Sequence, residues 1–267
     1  MLKILTDQTD VKMLVIGDTH AGSGGAILPP KAEDFSGDRQ PQNAIQRWLW
    51  KNWVSDLNEI GKVDVMINMG DTVEGQQVKI NGRTLMSTDT DNQVRWATET
   101  HQKALDICKP SVMITLEGTP YHSRTGGGSC DFNVHNGLKK GNPEVEMIYS
   151  ENLVIKIGKM IYSLAHPYPT TEMLSNPLEK LIKEAAVEHS LGNGERIDAI
   201  GRAHAHRYDW VCPRGRYGFL VPCQQVESEY GKTKAYLTVR KPDVGVLELK
   251  QMDDYLMGIP KLHRWRP

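Results

Sequence analysis

Aspartate and histidine recur along this chain just after apolar runs: Asp18 and His20, Asp71, His122, His166, then His204 with His206. Carboxylate and imidazole together form the donor set of transition metals such as Zn, Fe, Ni and Mn. Asp18 and His20 are an i, i+2 pair, and so are His204 and His206. On an extended segment such a pair points to one face, so both side chains reach one site; on a helix they diverge. The spacing therefore predicts metals held above a sheet edge by extended segments. One Asp-x-His pair is a weak signal. The joint pattern, each block after an expected strand, is a strong one.

The elements that must position these residues alternate between strand and helix. Met13–Ile16 reads as a buried strand ending in Gly17-Asp18-Thr19-His20, with a Gly/Pro-rich loop from Ala21 to about Pro41. Ile45, Leu49, Trp53, Leu57 and Ile60 form one apolar stripe at helical spacing, an aromatic-bearing face that belongs to a core. Val63–Met69 is the second strand, ending in Gly70-Asp71. Gln77–Met86, with Asn81-Gly82 at its centre, reads as a hairpin. A helix follows over about Asn92–Cys108, stopped by Pro110, and Val112–Leu116 is the third strand.

Farther along, Leu153–Ile157 and Met160–Ala165 are strands joined at Gly158-Lys159, the second leading into His166. A helix is expected over about Thr171–His189, and Ile197–Ile200 is a strand before Gly201 and the last histidine pair. Tyr217–Val221, Ala235–Val239 and Val244–Lys250 read as antiparallel strands. Helices early and antiparallel strands late suggest an α/β fold with a mixed sheet or two packed sheets. No linker divides the sequence, so one domain over residues 1–267 is expected.

Composition narrows the function classes. A net charge of −1 gives no global pull toward nucleic acid or an anionic membrane. The four cysteines show no CxxC spacing and read as reduced, structural thiols. The start turns polar early and no apolar run approaches bilayer length, so a soluble, cytoplasmic protein with no membrane partner is expected. His101, His189 and His263 read as surface or packing residues, and Lys261–Pro267 as a solvated basic tail. His135 and Asp131, after the glycine-rich loop, are open to either reading.

In order and spacing the Asp/His blocks resemble the calcineurin-like metallophosphoesterase family, whose pattern runs D-x-H, G-D, G-N-H, a lone His, then G-H-x-H. Here stand Gly17-Asp18-Thr19-His20, Gly70-Asp71, Gly118-Thr119 with His122, Ala165-His166, and Gly201 followed by His204-Ala205-His206. The chain departs from the pattern in having Thr119 for Asn, Pro120-Tyr121 before His122, and Arg202-Ala203 before His204. The resemblance spans residues 13–207.

The resemblance implies a mixed-sheet β-sandwich flanked by helices, an α/β/β/α arrangement, and a cofactor of two transition-metal ions (Mn, Fe, Zn or Ni). It implies that Asp18, His20 and His206 hold the first metal, that Asp71 bridges both, and that His166, His204 and the Thr119 position serve the second. His122 takes the catalytic position. The implied activity is phosphoester hydrolysis by a metal-bridging hydroxide.

Compactness and the Thr-for-Asn site look like the small phosphodiesterase and phage-type members, so the expected substrate is a phosphodiester, a nucleotide or nucleic acid among the possibilities. Arg124 and Arg202, beside the motif loops, would clamp phosphate oxygens or be ordinary surface arginines. Loops 21–41, 72–90 and 123–130 are expected as substrate walls. A DNA or RNA nuclease is the alternative, with Arg39, Lys79, Arg83, Arg124, Arg202 and Arg207 as a basic groove. A phosphomonoesterase is another. A non-catalytic module on a decayed site is the reading from a different class, and the intact ligand set argues against it.

Overall fold

The computed structural model describes residues 3–6, 8–78, 81–122, 128–169, 173, 175–226 and 241–265. Its strands are β1 (Lys3–Ile4), β2 (Asp10–Ile16), β3 (Val65–Asn68), β4 (Val112–Leu116), β5 (Glu146–Ser150), β6 (Asn152–Ile157), β7 (Met160–Ala165), β8 (Ala199–Arg202), β9 (Asp209–Val211), β10 (Tyr217–Leu220), β11 (Val244–Met252) and β12 (Tyr255–His263). The helices are α1 (Ala44–Ile60), α2 (Thr90–Cys108), α3 (Cys130–Gly141) and α4 (Ser175–Ser190).

The strands form two six-stranded mixed sheets, ordered β12-β11-β2-β3-β4-β5 and β1-β6-β7-β8-β10-β9. In the first, β2 to β5 run parallel, with β11 and β12 added antiparallel beside β2. Parallel neighbours need crossovers, and α1, α2 and α3 supply them.

The residues of β2 show how the layers arise. Leu14 and Ile16 face α1, α2 and α3, where Leu49, Trp53, Leu57, Trp96 and Leu138 cover them. Met13 and Val15 point the other way, into a core shared with Ile155, Tyr162, Leu164 and Phe219 of the second sheet. A strand buried on both faces reads as a continuous apolar run, which is why it was legible. On the outer face of the second sheet, Leu178 and Ile182 of α4 cover Ile200 and Leu220. The order is helix, sheet, sheet, helix, as expected.

Helix α1 begins with a reciprocal capping box between Asn43 and Gln46 and ends at Gly61, whose φ is 64°.

Several expectations need correction. In Gln77–Met86 the Asn81-Gly82 turn forms with φ of 53° and 64°, but Leu85 bridges Ser23 instead of closing a hairpin. Lys79 and Ile80 lie outside the described residues, as does the expected strand Ala235–Val239. β10 is parallel to β8 and antiparallel only to β9. The expected tail is in part the edge strand β12, docked on α1 by an ion pair from Lys261 to Glu59. His263 adds a contact of 2.8 Å to Asp56. Helix α3 and strands β1 and β5 were not foreseen. No helix among the described residues is long and apolar enough to cross a membrane.

Candidate metal centre

The first sheet delivers Asp18 from the end of β2, Asp71 from the end of β3, and Thr119 and His122 from the loop after β4. The second delivers His166 from the end of β7, and His204 and His206 from the loop after β8. The loops after β2 and β3 are tied by backbone bonds from Asp18 N–H to the Gly70 carbonyl and from His20 N–H to the Asp71 carbonyl, each 3.0 Å. Ala203 N–H donates to the His166 carbonyl at 3.1 Å, joining the two histidine loops of the second sheet.

These segments are not extended, contrary to the geometry inferred from the i, i+2 spacing. Asp18, His20, Asp71, His204 and His206 have φ of 50°, 45°, 51°, 70° and 53°. A non-glycine residue in that region costs about 1–3 kcal/mol and persists only where the surroundings over-determine it. The backbone bonds between loops provide that determination. The side chains still converge, by a left-handed turn at each ligand rather than by a pleat.

The two carboxylates are arranged alike. Asp18 Oδ2 accepts from the His204 backbone N–H at 3.1 Å. Its Oδ1 is buried without a hydrogen bond among the described residues and lies 3.4, 3.7 and 3.9 Å from Nε2 of His206, His20 and His166. Asp71 Oδ1 accepts from the Thr119 backbone N–H at 2.6 Å. Its Oδ2 faces His166 Nε2 at 2.9 Å, His122 Nε2 at 3.6 Å and His204 Nδ1 at 4.0 Å. Each carboxylate thus fixes one oxygen on the main chain and turns the other toward imidazole nitrogens. A methyl group on Gly118 would fall 2.0 Å from Asp71 Oδ1, so that glycine is sterically required.

Two imidazoles have their tautomer set by the main chain. His166 Nδ1 lies 2.7 Å from the Met69 carbonyl oxygen, and His122 Nδ1 lies 2.6 Å from that of Glu74. A carbonyl only accepts, so Nδ1 carries the proton and Nε2 of a neutral ring keeps its lone pair.

Among the described residues, three groups of donors each gather within 4.8 Å: Asp18, His20 and His206; His20, Asp71 and His122; Asp71, His166 and His204. His20 and His206 face each other through Nε2 at 3.0 Å. Two nitrogens bound at about 2.1 Å to one cation at a right angle sit about 3 Å apart. That approach, with the orphaned Asp18 Oδ1 and His166 Nε2, fits a cation.

Without a cation, the same groups favour ion pairs, which a metal would have to displace. Burial would raise the Asp18 and Asp71 carboxyls, but the surrounding histidines outweigh it and hold both well below the usual range. Burial opposes charge on His20 and His166 too, yet Glu74 and Asp71 pull them up to about 10 and about 9.

Thr119 stands beside Asp71, its hydroxyl 3.2 and 3.3 Å from the two carboxylate oxygens. Arg202 is turned elsewhere: its guanidinium donates to the Ser163 and Gly201 carbonyls at 2.9 and 2.8 Å. Burial lowers its pKa to about 10. Arg207 pairs with Asp243 at 2.9 Å. Arg124 and Lys79 lie outside the described residues.

Asp131 resolves to a support, accepting from Thr72 N–H and Gly118 N–H at 2.9 and 2.8 Å and so clamping the loops after β3 and β4. His135 lies 3.3 Å from the Thr115 hydroxyl beneath β4. Glu74 was missed; its only local signals are its place just after Asp71 and a bond from Gln77 Nε2 at 2.7 Å, and its other side-chain partners, His20 and Gln225, come from distant segments.

The chain matches no protein-family model and no curated protein. Among solved structures it is similar to Vacuolar Protein Sorting 29 from Cryptosporidium parvum, at 11% identity over 97% of this chain and 100% of that one, with a TM-score of 0.46. It is similar to an archaeal phosphodiesterase at 11% identity, covering 94% and 99%, with a TM-score of 0.45. A predicted phosphoesterase from Streptococcus pneumoniae TIGR4 follows at 12% identity, covering 97% and 95%, with a TM-score of 0.43.

Proposed function

We propose that this chain is a metal-dependent phosphoesterase acting on phosphodiesters. The observation that carries the reading is the paired arrangement of Asp18 and Asp71, each with one oxygen fixed by a backbone N–H and the other facing imidazole nitrogens. Asp18, His20 and His206 would hold one cation, and His166, His204 and the Thr119 position the other, with Asp71 shared. Bound there, such cations supply Lewis-acid charge at a phosphoryl centre and a water acidified toward neutral pH.

The protein's own groups do the rest. His122 Nδ1 is tied to the Glu74 carbonyl, so any proton it exchanges moves at Nε2, beside Asp71. Asp131 keeps the Thr72 and Gly118 segments in register, and Gly118 leaves room for the Asp71 carboxylate.

The choice of a diester rests on the resemblance of this compact chain, with Thr119 in place of Asn, to the small phosphodiesterase and phage-type members.

The test is hydrolysis of bis-p-nitrophenyl phosphate against p-nitrophenyl phosphate by chelated protein resupplied with Mn, Ni, Zn or Fe. Metal-dependent turnover favouring the diester is expected. Preference for the monoester would reassign the substrate class, and no turnover with any metal would refute the enzymatic reading.

A further inference from the structure

The two residues that stand between Thr119 and His122, Pro120 and Tyr121, bring an exposed aromatic ring to the edge of the metal centre. Tyr121 is 46% exposed. Its ring meets the His122 ring edge to face, with centroids 5.2 Å apart. The His122 ring lies 4.7 Å from that of His20, and the His20 ring 4.8 Å from that of His206. Four rings therefore run in a row from the surface to the candidate ligands of the first cation.

The turn that carries Tyr121 is held on several sides. Pro120 opens it with a fixed φ. His122 N–H donates to the Thr119 carbonyl at 3.1 Å, and His122 Nδ1 is tied to the Glu74 carbonyl at 2.6 Å. Gly75 packs so closely that a methyl group there would fall 2.9 Å from His122 Cα. A tyrosine on a braced turn offers a large, rigid contact area at a low cost in conformational entropy. Single exposed apolar side chains are ordinary and need no partner. Phe132, 45% exposed, is of that kind, with its ring against Tyr149 of β5. Tyr121 differs in place: its ring abuts His122, the residue set to exchange a proton beside Asp71.

We propose that Tyr121 determines specificity by stacking on a nucleobase of the substrate, so that the phosphodiester cleaved is one joining nucleosides. The proposal rests on the phosphodiesterase function proposed above and narrows its substrate class. Every base has a π-face, so such a platform selects bases as a class and not a sequence. With a net charge of −1 the chain has no global attraction for a polyanion, and recognition falls to contacts of this kind. Removing a stacking ring costs about 5- to 150-fold in affinity for a base.

The experiment is steady-state hydrolysis by the full chain, loaded with the metal that supports turnover of bis-p-nitrophenyl phosphate. The substrates are the dinucleotide TpT and its two analogues in which one thymidine is replaced by an abasic tetrahydrofuran residue. Wild type should prefer TpT over one analogue by about 5- to 150-fold in kcat/KM, mostly through KM. Tyr121→Ala should lose that preference, and Tyr121→Phe, which keeps a stacking ring, should retain it. Equal use of all three substrates by wild type, no turnover of TpT, or an unchanged preference in Tyr121→Ala overturns the proposal alone. Equal losses on all three substrates in Tyr121→Ala would make the ring a support of the His122 turn and overturn it too. A wild-type chain that hydrolyses neither TpT nor bis-p-nitrophenyl phosphate overturns the enzymatic reading as well.

Discussion

At the scale of single residues the proposed function gives each atom of the cluster a duty that can be tested. His122 is the clearest separable one, because its Nδ1 is held by a main-chain oxygen while its Nε2 faces Asp71. Replacing it by Asn should lower kcat by about 10²- to 10⁴-fold, the range for a lost proton-transfer group, while Zn²⁺ affinity stays near the wild-type value. Steady-state kinetics beside a metal titration reads both. Comparable losses in the two would make His122 a ligand instead.

That Asp18, His20, Asp71, His166, His204 and His206 would gather in one place was legible in the sequence, because carboxylate and imidazole after apolar runs are an uncommon conjunction. The means of their convergence was not. The φ of 50° at Asp18 and 45° at His20 depends on the loop after β3 lying alongside, a contact that i, i+2 spacing cannot register. Glu74 was equally hidden, since its partners Gln225 and His20 come from distant stretches of chain.

Among the elements, α1 and β2 were read correctly because their apolar periods belong to one helical face and to a doubly buried strand. Helix α3 was missed for a physical reason. Its sequence CDFNVHNGLKKG carries Asn and Gly, poor helix formers. Its place is fixed from outside, by Asp131 on two loops and by Gly137, where a methyl group would come within 3.2 Å of Thr98 on α2.

Helix α2 carries a testable pH response. His101 is fully buried, donates Nδ1–H to the Ala97 carbonyl at 2.8 Å, and has no partner for Nε2 among the described residues. Burial depresses its pKa to about 4. The unfolded chain, with an ordinary histidine near 6.5, therefore takes up the proton first as pH falls. This residue leaves the fold undisturbed above about pH 6.5 and destabilises it progressively down to about pH 4, by up to about 3 kcal/mol. His101→Gln should flatten that part of the stability profile. Denaturant midpoints from pH 4 to 7 measure it, and parallel profiles for the two proteins would contradict the assignment.

The whole molecule places the donors on both sides of the interface between its sheets: Asp18 and Asp71 come from one, His166, His204 and His206 from the other. A cation bound to both binds the native arrangement and not the unfolded chain. Stability should then rise with free metal, by about 2.7 kcal/mol at a hundredfold excess over Kd. Thermal melts of chelated and Zn²⁺-loaded protein check this, and coincident melting temperatures would mean the cluster does not join the sheets through a metal. At this scale the α/β class and the succession of motifs were readable from alternating strand and helix patterns, which left open a mixed sheet or two packed sheets; the layered sandwich came from the resemblance. The closure of the sheet edges was not. β1 is short, and β12 carries Pro260 and basic residues that read as solvated chain.

The left-handed backbone at Asp18, His20, Asp71, His204 and His206 has a consequence for anyone wishing to transplant the centre. Among ligating side chains, Asp and His are enriched several-fold at positive φ, whereas bulky and β-branched residues resist it. The usable alphabet at those positions is therefore short, and the torsions form as much of the blueprint as the side chains do. A graft that copied the same letters onto straight strands of a foreign scaffold would aim them apart and should take up no metal; only a scaffold that reproduces the turns can inherit the chemistry.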